Sequence, residues 1–101
     1  MKRSIFALMA AIAVTLPALA DQALAKSKNC LACHTVDKKL VGPSYQDVAK
    51  KYSGQQDATA KLATKIMKGG SGVWGAVPMP ANTQVNEAEA RKLAEWVLSL
   101  K

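Results

Sequence analysis

The sequence is short of the side chains that build metal sites and large cores. It has one histidine and two cysteines among 101 residues, and only 5% of its residues are aromatic. A structural zinc ion takes four Cys or His ligands, and three are present, so a zinc site is disfavoured. Patterns typical of β-strands are also missing. Their absence disfavours a thioredoxin-like dithiol, because that motif accompanies a strand–helix–strand unit.

Arginine is scarce as well, which limits the partners that a basic chain can have. The formal net charge is +7, yet Arg91 is the only arginine beyond the first few residues. Scattered lysines without an arginine cluster are not typical of nucleic-acid binding. They keep a small protein in solution, and they can steer it toward an acidic face on a partner protein.

The first twenty residues have the layout of a secretory signal peptide. A basic start, Lys2-Arg3, precedes an apolar run over residues 5–16, and the small residues of Ala18-Leu19-Ala20 end it. We expect cleavage after Ala20, with Ala25 as the rival site. The apolar run is too short for a membrane anchor, which needs about 20 residues. Residues 21–101 then form one exported domain without stable membrane insertion.

Helical periodicity accounts for most of this domain, and an all-α fold of four short helices is expected. The first helix is predicted over residues 21–33 and runs into the two cysteines. Gly42-Pro43 breaks the chain, and Pro43 in a first-turn position would open a short helix over residues 45–52.

The last two helices are predicted from their ends. Asp57 is a suitable N-cap for the third helix, and Gly69 is a suitable stop. Asn86 and Glu89 are spaced as a capping box at the start of the fourth helix. Trp96 lies on the apolar stripe of this helix, where it is expected to pack against the first.

Residues 69–85, GGSGVWGAVPMPANTQV, form a long loop. Four glycines and two prolines forbid a regular helix and make a central strand implausible. A loop this long in a small domain is usually functional, and its apolar side chains favour burial. A core this small also needs an additional stabilising element. A disulfide between Cys30 and Cys33 would close only a tiny loop and would contribute little stability. We therefore infer a large apolar ligand at the centre.

Cys30, Cys33 and His34 form the Cys-x-x-Cys-His attachment signature of a c-type haem. Positions i, i+3 and i+4 share one face of a helix, so both thiols can add to the two vinyl groups along one haem edge. His34 then lies beneath the ring, with an imidazole nitrogen as the proximal iron ligand. The expected cofactor is one covalently bound haem c with its iron.

The sixth iron position needs another soft donor, and methionine is the donor that remains. Met67 falls on the apolar stripe of the third helix, where a role as core filler is expected. Met79 lies in Pro78-Met79-Pro80, whose rings stiffen the backbone on both sides of the sulfur. Met79 is therefore our choice as the second axial ligand.

Five segments carry a resemblance that spans essentially all of residues 21–101. They are Cys30-Leu-Ala-Cys-His34, Val41-Gly-Pro43, Gly72-Val-Trp-Gly75, Val77-Pro-Met-Pro80 and Ala94-Glu-Trp-Val-Leu98. In order and spacing they resemble the short bacterial class I cytochromes c, and more narrowly the cytochrome c-551/c-552 group. The resemblance implies a class I cytochrome c fold of four short helices around one haem, a monomer, and periplasmic single-electron transfer. The partners it implies are nitrite reductase, terminal oxidases, cytochrome bc1-type complexes and peroxidases.

The resemblance also implies roles for residues around the haem. The Pro43 carbonyl is expected to accept a hydrogen bond from the second nitrogen of His34. Trp74 and Lys65 are expected near a haem propionate, although loop packing for Trp74 and a solvated position for Lys65 remain open. Asn82 is expected to bring its side-chain amide near the Met79 sulfur.

Two positions depart from the pattern of the group. Ala25 stands where some relatives carry a large aromatic side chain, so a less filled helix contact is expected. Ala81 replaces a proline that is common after Pro80, which leaves the methionine loop freer. Neither position is an iron ligand.

An electron carrier without enzymatic activity is the expected function, because protein ligands fill both axial positions. The alternative is a ligand-binding haem protein, a gas sensor or peroxidase-like protein, with an open sixth position. Lysines that flank the haem motif are expected around the exposed haem edge, where a partner docks. These are Lys26, Lys28, Lys38 and Lys39.

Overall fold

The computed structural model describes residues 17–100. Within them the chain forms four α-helices, α1 over Pro17–Ser27, α2 over Tyr45–Tyr52, α3 over Ala58–Lys68 and α4 over Glu87–Leu98. No strand occurs in this part of the chain, and the pairing of Gly70 with Met79 is an isolated bridge. The all-α prediction is confirmed. Most of the predicted signal peptide, residues 1–16, lies outside the described residues.

The predicted first helix over residues 21–33 is wrong in its bounds. Helix α1 ends at Ser27, and the two cysteines belong to a separate 3₁₀ turn over Cys30–Ala32. Asn29, which lies between α1 and this turn, has φ 65°. This left-handed conformation breaks a helix, and asparagine adopts it more readily than most residues do. The face-sharing argument for an α-helix therefore does not apply to this segment.

Local hydrogen bonds explain where α2 and α4 begin. Ser44 caps α2, and its Oγ accepts from the backbone N–H of Asp47 at 3.1 Å. Pro43 thus precedes the cap, so the prediction that it lies in the first turn is wrong. The capping box of α4 is confirmed, since Asn86 Oδ1 accepts from Glu89 N–H at 2.8 Å and Glu89 Oε1 accepts from Asn86 N–H at 3.2 Å.

The positions of both ends of α3 were predicted correctly, but the capping contact of Asp57 was not. Asp57 stands at the N-cap, yet its side chain makes no capping hydrogen bond. Gly69 ends the helix with φ 70°, and its N–H donates to the carbonyl of Lys65 at 2.8 Å. The left-handed conformation at this position is one that glycine adopts without steric cost.

Helix α4 is the centre of the packing and contacts each of the other three helices. Its inward stripe includes Leu93, Ala94, Trp96 and Val97, all of them buried. Ala25 of α1 is fully buried and belongs to the same core cluster. Burying such apolar stripes is the main source of stability in a small helical domain. No helix among residues 17–100 has the length and apolar character to cross a membrane.

Candidate haem-binding site

A cavity of about 400 Å³ lies between the helices and the long loop. Its walls come from the 3₁₀ turn, from α2, α3 and α4, and from residues 70–80. The cavity brings together most of the predicted site residues, which are Cys30, Cys33, His34, Pro43, Lys65, Trp74 and Met79. Asn82 is the one predicted site residue that does not line it.

Cys30 and Cys33 are both free thiols and both partly buried. Their segment is a single tight turn, because the N–H groups of Cys33 and His34 both donate to the Cys30 carbonyl, at 3.2 and 3.1 Å. Burial raises the pKa of the Cys30 thiol. A dithiol oxidoreductase needs the opposite shift, since its attacking cysteine is a low-pKa thiolate.

The imidazole of His34 is fixed in both orientation and tautomer. Its Nδ1 lies 2.8 Å from the Pro43 carbonyl oxygen. Because a carbonyl oxygen can only accept, Nδ1 carries the proton and donates, so in the neutral ring Nε2 keeps its lone pair. A neutral imidazole with one nitrogen so fixed is the usual state of a histidine metal ligand.

Two aromatic rings in sequence support this imidazole. The His34 ring stacks on Tyr45, with centroids 5.0 Å apart and an interplanar angle of 23°. Tyr45 in turn meets Trp96 edge to face, at 5.3 Å and 70°. Such aromatic pairs contribute about 0.5–1.5 kcal/mol beyond area burial. Trp96 of α4 thus supports the histidine through Tyr45 of α2.

Gly42 provides the space that the His34 ring occupies. A Cβ atom at this position would lie 2.8 Å from Nδ1 and 3.1 Å from Nε2 of the imidazole. A side chain at position 42 would therefore crowd the imidazole and require it to shift.

Met79 is held by its backbone at the end of α3. The N–H of Gly70 donates to the Met79 carbonyl at 3.0 Å, and the Met79 N–H donates to the Gly70 carbonyl at 2.8 Å. Met79 lines the cavity, whereas Met67 packs against the hydrophobic core and does not line it. The thioether of Met79 is therefore the one that a ligand in the cavity would meet.

Trp74 and Lys65 lie at the edge of the cavity. The Trp74 side chain is 44% exposed, and the Lys51 ammonium lies 5.4 Å from its ring centroid, within cation–π range. The Lys65 ammonium extends over Gly70, since a Cβ built there would lie 2.6 Å from it. Contact of either side chain with a propionate stays a prediction.

Asn82 ties the methionine loop to α3. Its side-chain Nδ2 donates to the Ile66 carbonyl at 2.8 Å, and its backbone N–H donates to the same oxygen at 3.2 Å. The predicted contact of its amide with the Met79 sulfur stays a prediction.

The cavity fits a covalently held porphyrin. It offers two thiols, one oriented imidazole and one thioether within mainly apolar walls. The exposed large apolar side chains of the described residues are Leu40, Val41, Val73, Trp74 and Val77, and all but Leu40 line this cavity. A flat apolar group seated there would cover them, and such burial is strongly favourable.

Several residues that shape the site were not predicted to do so. Gly42 and Tyr45 were identified only as parts of a chain break and a helix start, and Gly70 only as part of the loop. Trp96 was expected to pack on α1. The Val41-Gly-Pro43 segment pointed to the first of these, but spacing along the chain carries no information on ring clearance or stacking.

The four helices, and a cavity that gathers two thiols, an imidazole and a thioether, define an all-α haem protein of the class I cytochrome c fold. Residues 20–101 match the model of the Cytochrome c family, and the chain belongs to that family. It is 54% identical over 96 residues to cytochrome c-552 of Hydrogenobacter thermophilus, covering 95% of this chain and 97% of that protein. It is also 54% identical over 84 residues to cytochrome c-552 of Nitrosomonas europaea, covering 83% and 82%.

A crystal structure of the wild-type Nitrosomonas europaea cytochrome c552 has the same fold. It superposes with a TM-score of 0.78 at 52% identity, over 79% of this chain and 99% of that one. The predicted resemblance, fold class and covalently bound haem c with iron are thereby confirmed. The chain is a member of the small cytochrome c-551/552 group of electron carriers.

Proposed function

We propose that this protein is a periplasmic single-electron carrier whose haem iron is bound axially by His34 and Met79. One observation carries the proposal: both side chains line the cavity that also holds Cys30 and Cys33, and His34 has Nε2 free because Nδ1 is bound to Pro43. A c-type haem supplies reversible one-electron transfer between ferrous and ferric iron.

Each residue of the site has a specific task in this proposal. Cys30 and Cys33 form the two thioether bonds, and the Pro43 carbonyl orients His34 and strengthens it as a donor. Thioether ligation by Met79 favours the ferrous state and raises the reduction potential. The apolar walls of the cavity act in the same direction by excluding water.

Three further residues tune the site. Trp74 would donate its indole N–H to a propionate, and Lys65 would neutralise that group. Asn82 has a second amide N–H beyond the one bound to Ile66, because a carboxamide carries two donors. That second N–H is the one proposed to approach the Met79 sulfur.

With protein ligands on both faces of the iron, no substrate has access to it. The protein would therefore act without enzymatic activity, as a monomer that passes electrons between respiratory complexes and terminal reductases or oxidases. Nitrite reductase, terminal oxidases, cytochrome bc1-type complexes and peroxidases are the proposed partners. Export would follow from the signal peptide over residues 1–20, and amino-terminal sequencing of the periplasmic protein should then begin at Asp21.

Of the four lysines proposed to surround the exposed haem edge, Lys28 is otherwise engaged. Its ammonium lies 3.2 Å from Glu89 and 3.1 Å from the carbonyl of Gln84. Lys39 lines the cavity, and Lys26 and Lys38 are exposed. We assign docking mainly to Lys39, because it lines the cavity, and to its chain neighbour Lys38.

A matched pair of substitutions tests the axial ligands. Met79→Leu and Met67→Leu conserve side-chain volume and remove one sulfur each. In the ferric protein Met79→Leu should abolish the weak far-red methionine–iron band and lower the reduction potential strongly, whereas Met67→Leu should keep both. A wild-type spectrum that is high-spin and lacks the band would instead favour the alternative, a gas sensor or peroxidase-like protein with an open sixth position.

A further inference from the structure

Reciprocal hydrogen bonds join the haem-attachment segment to the end of the methionine loop. Lys28 stands just before the 3₁₀ turn that begins at Cys30, and Gln84 follows Met79 in the long loop. The Lys28 Nζ donates to the Gln84 carbonyl at 3.1 Å, and the Gln84 Nε2 donates to the Lys28 carbonyl at 2.9 Å. The two residues are 56 positions apart in the sequence.

The contact continues from Gln84 toward Met79. The Gln84 Nε2 also donates to Asn82 Oδ1 at 3.2 Å, and the Asn82 amide donates to Ile66 of α3 at 2.8 Å. On the other side, the Lys28 ammonium pairs with Glu89 in the first turn of α4 at 3.2 Å. Gln84 is thus the side chain through which the attachment segment, the loop and α3 are connected.

We propose that Gln84 is a positioning residue that slows the release of the Met79 thioether from the iron. The proposal rests on the axial ligation by Met79 proposed above. Release requires the loop to move away from the cavity, and the loop is tied at two places. One is the backbone pair of Gly70 with Met79, and the other is the group of Asn82, Gln84 and Lys28.

The exposure of Gln84 separates positioning from general stability. The side chain is exposed and lies outside the hydrophobic core cluster. Exposed hydrogen bonds contribute little net stability to a fold, so removing these should change the unfolding transition only slightly. They restrain the loop that carries Met79, so their loss should act mainly on the movement of that loop.

Imidazole binding to the ferric holoprotein measures this movement. If Met79 must leave before imidazole binds, the observed rate reaches a limit at high imidazole, and the limit reports loop release. Gln84→Glu keeps the size of the side chain but removes both donated bonds, so the limiting rate should rise about threefold to tenfold. Lys28→Met keeps the bond from Gln84 to the Lys28 carbonyl and should give a smaller rise.

Gln55→Glu is the matched control. Gln55 is an exposed glutamine whose Nε2 donates to the Lys51 carbonyl at 3.3 Å, in the turn before α3. The Gln55→Glu substitution should lower the denaturation midpoint about as much as Gln84→Glu does. It should leave the limiting rate of imidazole binding at the wild-type value. Equal limiting rates for Gln84→Glu and Gln55→Glu would overturn the role of Gln84 but not the ligation by Met79. A ferric wild-type spectrum without the methionine–iron band would overturn the ligation by Met79 and this inference with it.

Discussion

Gly70 and Met79 pair through two backbone hydrogen bonds, of 3.0 and 2.8 Å, directly after α3 ends. This bridge positions the proposed axial thioether by main-chain contacts, so the sulfur does not depend on side-chain packing alone for its approach to the cavity. The neighbouring Gly69 makes the bridge possible. A Cβ there would collide with the Met79 carbonyl oxygen and lie 2.8 Å from the amide nitrogen of Ala81.

Gly69→Ala should therefore displace the Met79 segment. The substitution adds left-handed strain of about 1–2 kcal/mol, and the collision with backbone adds about 1–3 kcal/mol more. We expect a weaker methionine–iron band in the ferric spectrum and a lower unfolding midpoint in guanidinium chloride. Gly54→Ala is the control, because Gly54 has φ 79°, has nothing within 4 Å of its Cβ position and does not line the haem cavity. It should share the strain and keep the band, and a weakened band in both variants would contradict the role of the collision.

Gly42→Ala is expected to act on His34, the other proposed axial ligand. The new methyl group would lie 2.8 Å from His34 Nδ1, the atom that donates to Pro43. Relief of this contact means tilting or shifting the imidazole, at a cost of about 1–3 kcal/mol. The reduction potential should change, and part of the ferric protein should become high-spin.

The same Gly54→Ala variant separates this effect from a general loss of stability. Gly54 has φ 79° and open space at its Cβ position, so alanine there should destabilise the fold without altering the haem spectrum. If Gly42→Ala retains the wild-type potential and spin state, then the cavity tolerates a larger side chain beside His34 than the structure allows.

Sequence predicted those parts of the fold that local interactions determine. The capping box of Asn86 and Glu89 and the bounds of α2 depend on residues adjacent in the chain, and both were predicted correctly. The first helix was predicted too long, because its end depends on the left-handed conformation of Asn29. Asn29 lies inside the predicted helix, and a polar side chain there does not by itself indicate a left-handed conformation.

The site itself was predictable only in its chemistry. The Cys-x-x-Cys-His motif and the Pro-Met-Pro segment predict the donor atoms proposed for the haem, and the structure brings these residues to one cavity. The supports of those donors act between distant segments: Tyr45 stacks on His34, Gly70 pairs with Met79, and Gln84 bonds to Lys28. Such contacts depend on the tertiary fold, and no spacing rule indicates them.

Stability should fall in acid because of Glu89. Two hydrogen bonds hold the pKa of this carboxyl below its ordinary value of 4.5. The bond from the Asn86 backbone N–H has the larger effect and the bond from Lys28 the smaller. A lowered folded-state pKa contributes stability that is present above about pH 4.5 and is lost as the pH falls through the folded value. Thermal unfolding of the wild type from pH 6 to pH 3 should show this loss, and Glu89→Gln should show less of it.

Glu87→Gln is the control for that acid dependence. It removes the same charge from the same first turn of α4, but it does not touch the Asn86 amide. The acid loss should therefore persist in Glu87→Gln. Parallel pH profiles for wild type and Glu89→Gln would contradict the assignment to Glu89.

Lys38 and Lys39 should set the rate of reaction with an anionic redox partner. Thr35 Oγ1 bonds both the N–H and the carbonyl of Lys38, at 2.9 and 2.6 Å, which fixes the backbone of this segment beside the cavity that Lys39 lines. Charge reversal at both positions should slow oxidation of the ferrous protein by ferricyanide about tenfold at low ionic strength, because electrostatic steering is lost. Added salt should bring the two rates together, since the screening length falls to about 8 Å at 0.15 M.

Reversal of two lysines elsewhere distinguishes local steering from net charge. Lys61 on α3 and Lys92 on α4 are exposed and do not line the cavity. The Lys61→Glu/Lys92→Glu variant changes the net charge by the same amount, so it should retain most of the wild-type rate and salt dependence in stopped-flow measurements. Equal slowing in the two double variants would mean that the whole field of the molecule steers the oxidant. An unchanged salt dependence in the Lys38→Glu/Lys39→Glu variant would exclude the Lys38–Lys39 segment as the docking site.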